Sequence, residues 1–263
     1  MPILRQAAVR QASAATNGAA IENGAPVHPV ELERGPRRRS SSPTAAFPLT
    51  LRGVGKRWTK KQAPVLDGVD LTLDLGTKTW VGGRNGVGKT TLLRIAAGLI
   101  DPDRGEARVW GYTARQSRAR YQRLVSFLPA GDRGLYARLT VRHQLDFWAR
   151  VALIPTAEVG AMVDGAIEAF DLGDLAERRV DRMSMGQRQR LRIAMTFMTK
   201  PEIVLLDEPL TSLDADGAAV LDRAIEELLG RHGALLWCSP SGEPVEQRFD
   251  SRLLLEDGRL IEG

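Results

Sequence analysis

Cysteine and histidine are scarce in this chain of 263 residues. The single cysteine, Cys238, excludes an internal disulfide and a zinc site built from several thiolates. The three histidines, His28, His143 and His232, are widely spaced, so we expect no histidine-based metal centre. Long apolar runs are also missing. A membrane-spanning helix needs about 18 consecutive apolar residues, and we therefore expect none here.

Net charge is modest, at +5, and it is unevenly distributed. Residues 1–48 contain six arginines and three glutamates, so the remaining 215 residues carry only +2. A basic protein is a candidate for binding a polyanion such as nucleic acid or an anionic membrane surface. Here most of the excess charge lies near the amino terminus, and the rest of the chain is close to neutral.

The composition divides the chain into two parts. Residues 1–47 are rich in Ala, Ser, Pro, Gly and Arg and lack apolar periodicity, so we expect a disordered tail. Residues 48–263 contain short apolar runs that alternate with helical patterns, which predicts an α/β fold. Strands are expected at 49–51, 69–75, 79–81, 203–206, 234–238 and 251–255. Helices are expected at 90–99, 183–198 and 218–229, with mostly helical structure from about 113 to 182.

A glycine-rich segment at 83–90 fits the pattern G-x-x-x-x-G-K-[ST] in full. Glycines at this spacing let backbone N–H groups surround a phosphate, and Lys89 supplies a cation to the β- and γ-phosphates. The Thr90 hydroxyl is suited to bind Mg²⁺. The predicted nucleotide-binding residues of this loop are Gly83, Arg84, Asn85, Gly86, Val87, Gly88, Lys89, Thr90 and Thr91.

Two acidic residues, Asp207 and Glu208, follow the apolar run 203–206. Ligands of open α/β sheets bind at the carboxyl ends of such strands. Asp207 is therefore predicted to hold Mg²⁺, directly or through a water, and Glu208 to orient and deprotonate the attacking water as general base. The alternative is a pair of acidic residues that only ends a strand.

A third segment, Ser184, Met185, Gly186 and Gln187, opens the helix expected from about residue 183. Serine and glycine at a helix N-terminus provide hydrogen-bond donors for an anion. The segment lies about 20 residues before Asp207, which makes a shared function with the acidic pair more plausible than a chance match.

Together these motifs resemble those of the ATP-binding subunits of ABC transporters, over residues 49–263. The resemblance implies a P-loop NTPase fold of the ABC ATPase type, a mixed sheet core with a helical subdomain at about 113–182. It identifies 83–91 with the Walker A loop, 203–208 with the Walker B strand and 184–187 with the signature sequence, where Met185 replaces the usual glycine. It also implies that Asp214 is the D-loop aspartate and that Trp58 stacks on adenine.

In this family two ATPase domains pack head to tail, and each ATP lies between the Walker A loop of one and the signature helix of the other. The resemblance therefore implies ATP and Mg²⁺ as cofactors, and a second ABC ATPase subunit, identical or different, as a partner. It implies a separate membrane-spanning subunit and a peripheral location at the cytoplasmic face of the membrane. Residues 127–141 are similar to the Q-loop region of exporter ATPases.

Two positions depart from the family pattern. Ala130 stands where the Q-loop glutamine is usual, and Pro240 stands where the H-loop histidine is usual. Proline offers neither a side-chain donor nor a backbone N–H. Asp132 is a candidate to replace the glutamine at Mg²⁺, although it is equally compatible with a turn. His232 is expected at the opposite end of its strand, too far away to replace the missing histidine.

Two functions remain compatible with these residues. The first is an ATPase subunit that powers transport, as in an exporter, with turnover reduced by Pro240. The alternative is a slow or inactive nucleotide-binding regulatory partner in an ABC complex. Soluble ABC proteins that act on nucleic acid usually carry two ATPase domains or a long coiled-coil insertion, so no nucleic-acid partner is expected.

Overall fold

Two β-sheets organise the part of the chain that the structure describes. The structure is a computed structural model, and it describes residues 47–241 and 248–263. All of these residues belong to one compact unit, residues 44–263. The predicted disordered tail, residues 1–47, lies outside the described residues except for Phe47.

The larger sheet has six strands in the order β5-β6-β7-β3-β8-β9. Its strands are β3 (Lys78–Gly82), β5 (Val125–Leu128), β6 (Ile203–Asp207), β7 (Ala234–Cys238), β8 (Ser251–Glu256) and β9 (Arg259–Glu262). The first five strands in this order are parallel, and β9 is antiparallel to β8. In the register, Val81 pairs with Cys238, and Cys238 pairs with Asp207. The loops that follow β3, β6 and β7 therefore start side by side.

The smaller sheet is antiparallel, with the order β2-β1-β4. It consists of β1 (Leu49–Lys56), β2 (Leu66–Leu73) and β4 (Arg104–Val109). Helix α1 (Lys89–Ala96) begins directly after the glycine-rich loop, and its Leu92, Leu93 and Ile95 are almost fully buried. They share one apolar core with side chains of both sheets.

Among the described residues, five further helices follow α1, and four of them surround a second apolar core. They are α2 (Arg118–Leu124), α3 (Val141–Val151), α4 (Thr156–Ala169), α5 (Met185–Phe197) and α6 (Ala215–Gly230), with short 3₁₀ turns at Gly173–Leu175 and Val180–Arg182. The second core contains side chains of α3 to α6 and one face of β6 and β7. Strands β6 and β7 are buried along their whole length, as expected for central parallel strands.

The α/β fold and most of the expected strands and helices are confirmed. Three strands were not expected: β4, β9 and β5, the last within the interval 113–182 that we expected to be mostly helical. Strand β5 has four residues and β9 has four, too few for a clear alternation to show. The expectation that β8 is a buried strand was wrong, because only Leu255 in it is fully buried. Its position beside the short β9 leaves the other residues partly open to solvent.

Helix α1 also ends earlier than expected, at Ala96 rather than residue 99. Gly98 has a φ of +65°, which stops a right-handed helix. Within residues 47–241 and 248–263, no helix combines the length and apolar character needed to cross a membrane.

Candidate nucleotide-binding site

The glycine-rich loop runs from the end of β3 to the start of α1, as predicted. Gly83 and Gly88 adopt φ angles of +153° and +123°, which other residues rarely adopt. A Cβ atom on Gly83 would lie 2.8 Å from the carbonyl oxygen of Leu255, and one on Gly88 would lie 2.9 Å from that of Val65. Close backbone approach, as well as conformation, therefore requires glycine at both positions.

Lys89 is the first residue of α1, and its side chain is buried within the loop. Its Nζ donates hydrogen bonds to the carbonyl oxygens of Gly83, at 2.7 Å, and Arg84, at 3.1 Å. The ammonium group is thus held at the mouth of the loop, next to the N-terminus of α1. The positive charge of Lys89 and the N-terminus of α1 both favour the binding of an anion here. Thr91 is buried behind them, while Arg84, Asn85 and Gly86 are exposed at the tip.

Thr90 and Asp207 lie in direct contact, although they are 117 positions apart in the chain. The Thr90 hydroxyl donates a hydrogen bond of 2.7 Å to Oδ2 of Asp207. Asp207 is 1 % exposed, and burial raises the pKa of its carboxyl group. The hydrogen bond from Thr90, the backbone N–H of Ala130 and the nearby Lys89 lower that pKa, but burial has the largest effect.

This pair of oxygen ligands fits Mg²⁺. The described residues contain no group of three or more His, Cys, Asp or Glu side chains arranged to bind a metal. Mg²⁺ bound to a nucleotide commonly takes only one or two protein ligands, because phosphate oxygens and waters complete its octahedral shell. Thr90 and Asp207 supply that number and kind of ligand.

Glu208 follows the last residue of β6 and has a φ of +50°. A positive φ is uncommon for a residue with a side chain, and such strained residues occur often at functional sites. Its backbone N–H donates a hydrogen bond of 2.8 Å to the carbonyl oxygen of Cys238 in β7. The neighbouring strand therefore holds the strained backbone, and the half-buried Glu208 lies directly after the candidate metal ligand.

The loop after β7 contains a hydrogen bond that the sequence did not reveal. Trp80 in β3 donates from Nε1 to Oγ of Ser239 at 2.9 Å, and both side chains are buried. The following residue is Pro240. Trp80 looked like an ordinary strand residue in the sequence, because only the pairing of β3 with β7 brings it near Ser239.

The segment 184–187 forms the N-terminus of α5. Ser184 and Gln187 make a reciprocal capping box: Gln187 N–H donates to Ser184 Oγ at 3.2 Å, and Ser184 N–H donates to Gln187 Oε1 at 3.1 Å. Met185 is 61 % exposed, and a Cβ on Gly186 would lie 3.1 Å from the carbonyl oxygen of Ser212. The side-chain hydrogen bonds described for Ser184 and Gln187 do not reach residues 83–91.

Asp214 caps helix α6 by accepting a hydrogen bond of 2.8 Å from the backbone N–H of Gly217. Its Oδ1 also lies 3.8 Å from Nη2 of Arg190 in α5. The candidate D-loop residue is therefore tied to the helix that carries the candidate signature segment.

Two other predicted residues, Trp58 and Asp132, lie in the loops after β1 and β5. Trp58 follows β1 and is 54 % exposed, with Lys56 Nζ 5.5 Å from its ring centroid. Asp132 is exposed, and its Oδ2 lies 3.6 Å from Nη1 of Arg188. The loop after β5 contacts Asp207 through the backbone of Ala130. The role of Asp132 as a Mg²⁺ ligand stays a prediction, as does stacking by Trp58.

Comparison with known proteins agrees with this geometry. Residues 66–211 match the family described as ABC transporter. The chain is 31 % identical over 215 residues to the ABC transporter ATP-binding protein NatA of Bacillus subtilis, covering 81 % of this chain and 87 % of NatA. It is 31 % identical over 232 residues to the Nod factor export ATP-binding protein I of Rhizobium meliloti, covering 87 % of this chain and 68 % of that protein.

A solved structure of an ATP-binding subunit of an ABC transporter superposes with a TM-score of 0.73 and 25 % identity. The superposition covers 81 % of this chain and 87 % of that one. The family match covers the phosphate loop, α5 and the Asp207–Glu208 pair together. The chain belongs to the ABC transporter family, as an ATP-binding protein.

Proposed function

We propose that this chain binds MgATP between its phosphate loop and the end of β6, and hydrolyses it to power export through a separate membrane subunit. Family membership makes it an ATP-binding subunit of an ABC transporter, in which ATP binding and hydrolysis power transport. One observation carries the assignment of the site: the hydrogen bond from Thr90 to Asp207. This hydrogen bond joins the glycine-rich loop, which is suited to bind phosphate, to the carboxyl end of β6, which carries the candidate metal ligand and general base.

Different residues of the site are proposed to bind phosphate, hold the metal and activate water. Backbone N–H groups of 83–90 and the Lys89 ammonium bind the β- and γ-phosphates, while Thr90 and Asp207 hold the metal. Bound Mg²⁺ neutralises charge that develops on the phosphate oxygens. Glu208, next to Asp207, orients the attacking water and accepts its proton. The strained backbone of Glu208 sets the direction of its Cα–Cβ bond before ATP arrives.

A second ATPase subunit is proposed to complete the site. Ser184 and the N-terminus of α5 present donors and a positive helix end, but their described bonds do not reach this chain's own phosphate loop. In a head-to-tail dimer the α5 N-terminus of one subunit faces the nucleotide of the other. The exposed Met185 would then lie in the dimer interface, where the family has glycine.

The membrane subunit is proposed to dock in a cleft of about 700 Å³ beside α3 and α5. Apolar side chains line it, among them Phe127, Trp148 and Met195, and the exposed Leu99 and Val151 lie at its surface. An apolar surface of this kind suits a short apolar element of a membrane protein. With this docking we propose a peripheral location at the cytoplasmic face of the membrane.

Export, rather than import, is supported by two observations. Residues 127–141 resemble the corresponding region of exporter ATPases, and one relative is named for Nod factor export.

The proposed docking cleft is tested by placing a charge in it. Val151→Glu should abolish copurification with the membrane subunit and leave ATP binding unchanged. Retained copurification would place the docking surface elsewhere.

Reduced turnover is proposed from Pro240. A histidine there would donate a hydrogen bond to the γ-phosphate, and one such donor is worth about 3 kcal/mol, or roughly 100-fold in rate. The retained Glu208 argues for slow hydrolysis over the alternative, a regulatory partner that binds ATP without hydrolysing it.

The rate of phosphate release from ATP in Mg²⁺ tests both proposals, with the wild type and Pro240→His measured together. Slow, Mg²⁺-dependent release that Pro240→His accelerates supports both. Release by neither protein, despite ATP binding, favours the regulatory partner. Equal rates in the two proteins contradict the proposed effect of Pro240.

A further inference from the structure

Helix α5 contains an arginine that is almost completely buried. Arg192 is 3 % exposed, and desolvation lowers the pKa of its guanidinium group. Burying such a group is unfavourable unless it is hydrogen-bonded. Its guanidinium donates to the carbonyl oxygens of Pro129 and Arg133, the latter at 3.3 Å, and to Oε1 of Gln189 at 2.5 Å. Two of these three acceptors belong to the loop after β5.

Gln189 continues the chain of hydrogen bonds on the other side. It is 5 % exposed, and its Nε2 donates to the carbonyl oxygen of Pro209 at 2.8 Å. A continuous buried connection therefore runs from Pro129 through Arg192 and Gln189 to Pro209. Both ends of this connection are backbone carbonyl groups, so it fixes the position of the main chain of two loops.

Each end of the connection lies one residue from a functional group. Pro129 precedes Ala130, whose backbone N–H donates to the carboxylate of Asp207. Pro209 follows Glu208, whose backbone has a strained φ of +50°. A shift of either loop would move the amide on the metal ligand or the backbone of the base.

We propose that Arg192 and Gln189 are positioning residues for Asp207 and Glu208. The inference rests on the proposed function and names how that site is held in this chain. Ala130 has no polar side chain to offer the site, so at this position the loop after β5 contributes a backbone N–H. Arg192 fixes the position of this backbone through Pro129, and Gln189 fixes the position of the backbone after Glu208 through Pro209.

The connection also reaches the N-terminus of α5. Ser184 caps the same helix that carries Gln189 and Arg192. Because a helix moves as a rigid element, a movement of its N-terminus changes the positions of Pro129 and Pro209 together.

The test compares Arg192→Met, Gln189→Glu and an exposed control, Arg223→Met, whose arginine pairs with Asp171 at 2.7 Å on the surface. Two quantities are measured for each full-length protein. The first is the gain in ATP affinity that Mg²⁺ produces over EDTA. The second is the single-turnover rate of ATP cleavage with protein in excess, which detects slow hydrolysis.

Arg192→Met is expected to reduce the Mg²⁺-dependent gain at least fivefold, with ATP affinity in EDTA changed less than twofold. Gln189→Glu keeps an acceptor for Arg192 in the form of a carboxylate. The buried arginine therefore stays paired, and the variant is expected to fold. It loses the donor to Pro209, and its single-turnover rate is expected to fall about tenfold with a normal melting temperature. Arg192→Met is expected to lower the single-turnover rate about tenfold as well, and the double variant should be no slower than either single variant within twofold, because both residues act through one connection.

Variants that behave like Arg223→Met in both measurements would overturn the positioning role while leaving the proposed function intact. Additive effects in the double variant would overturn the continuous connection. A wild-type protein with no Mg²⁺-dependent ATP binding would instead contradict the proposed function itself.

Discussion

The buried carboxylate of Asp207 destabilises the folded protein, and the proposed role in Mg²⁺ binding explains why it is present. It is nearly inaccessible to solvent, and burial raises the pKa of its carboxyl group. At neutral pH the ionised carboxylate therefore reduces the free energy of unfolding of the nucleotide-free protein. We predict that Asp207→Asn is more stable than the wild type without nucleotide and no longer binds Mg²⁺.

The size of the effect follows from the contacts. Asparagine has the same shape, and its oxygen can accept from the N–H of Ala130 while its NH₂ donates to the Thr90 hydroxyl, which can turn to accept. Both hydrogen bonds survive and the buried charge is removed, but Lys89 loses a favourable charge nearby. The net gain is about 1 kcal/mol, or roughly 3 °C in melting temperature for a domain of this size.

The pH dependence of this difference has a defined sign. Because the folded pKa of Asp207 lies above the unfolded pKa, the cost is full above the folded pKa. The cost disappears as the pH falls through the folded pKa and below the unfolded one. The stability advantage of Asp207→Asn should therefore be largest at neutral pH and vanish in acid.

Thermal unfolding in EDTA at neutral and acidic pH measures the stability difference and its pH dependence. Unfolding in ATP with EDTA and in MgATP measures the stabilisation that depends on Mg²⁺. Ligand at 100 times its Kd adds about 2.7 kcal/mol to the wild type. Asp207→Asn should gain no more from MgATP than from ATP in EDTA. Asp146→Asn, which removes an exposed ion pair with Arg150, is the control and should respond to Mg²⁺ like the wild type. A less stable Asp207→Asn, or one that keeps the Mg²⁺ response, refutes the reasoning.

Other substitutions test the remaining parts of the site. Gly88→Ala forces a Cβ to 2.9 Å from a carbonyl oxygen at φ +123°, and should cost about 2–3 kcal/mol of stability and abolish ATP binding. Gly165→Ala in α4 meets nothing within 4 Å and should stabilise the protein by about 0.5 kcal/mol in the same melts. Trp58→Ala should weaken ATP binding by roughly 1–3 kcal/mol but leave binding of inorganic tripolyphosphate unchanged in calorimetry; equal losses for both ligands would exclude stacking. Ser184→Ala should lower stability by about 1 kcal/mol through the lost cap, measured by urea unfolding, and lower hydrolysis further wherever dimers form.

The sequence identified those candidate site residues that are local in the chain. In the loop 83–90 and in the pair Asp207–Glu208, the proposed functional groups lie within a few residues of one another. A short sequence pattern is therefore enough to find them. The buried strands β6 and β7 were equally clear, because central parallel strands are apolar along their whole length.

Contacts between distant segments could not be predicted in this way. The polar types of Arg192 and Gln189 do not indicate burial, yet both are almost fully buried, and their side chains bond to the loops after β5 and β6. Trp80 and Ser239 are 159 positions apart and meet through the pairing of β3 with β7. Strands β4, β5 and β9 were missed because they are short or exposed, so their pairing partners rather than their own patterns define them.

The central claim is that Glu208 activates water for ATP hydrolysis beside Asp207. Phosphate release and ATP affinity, measured in Mg²⁺ for the wild type and Glu208→Gln, test it most directly. We predict Mg²⁺-dependent release by the wild type and a fall of at least about 100-fold in Glu208→Gln, with ATP affinity within twofold. Equal release by the two proteins would contradict the claim.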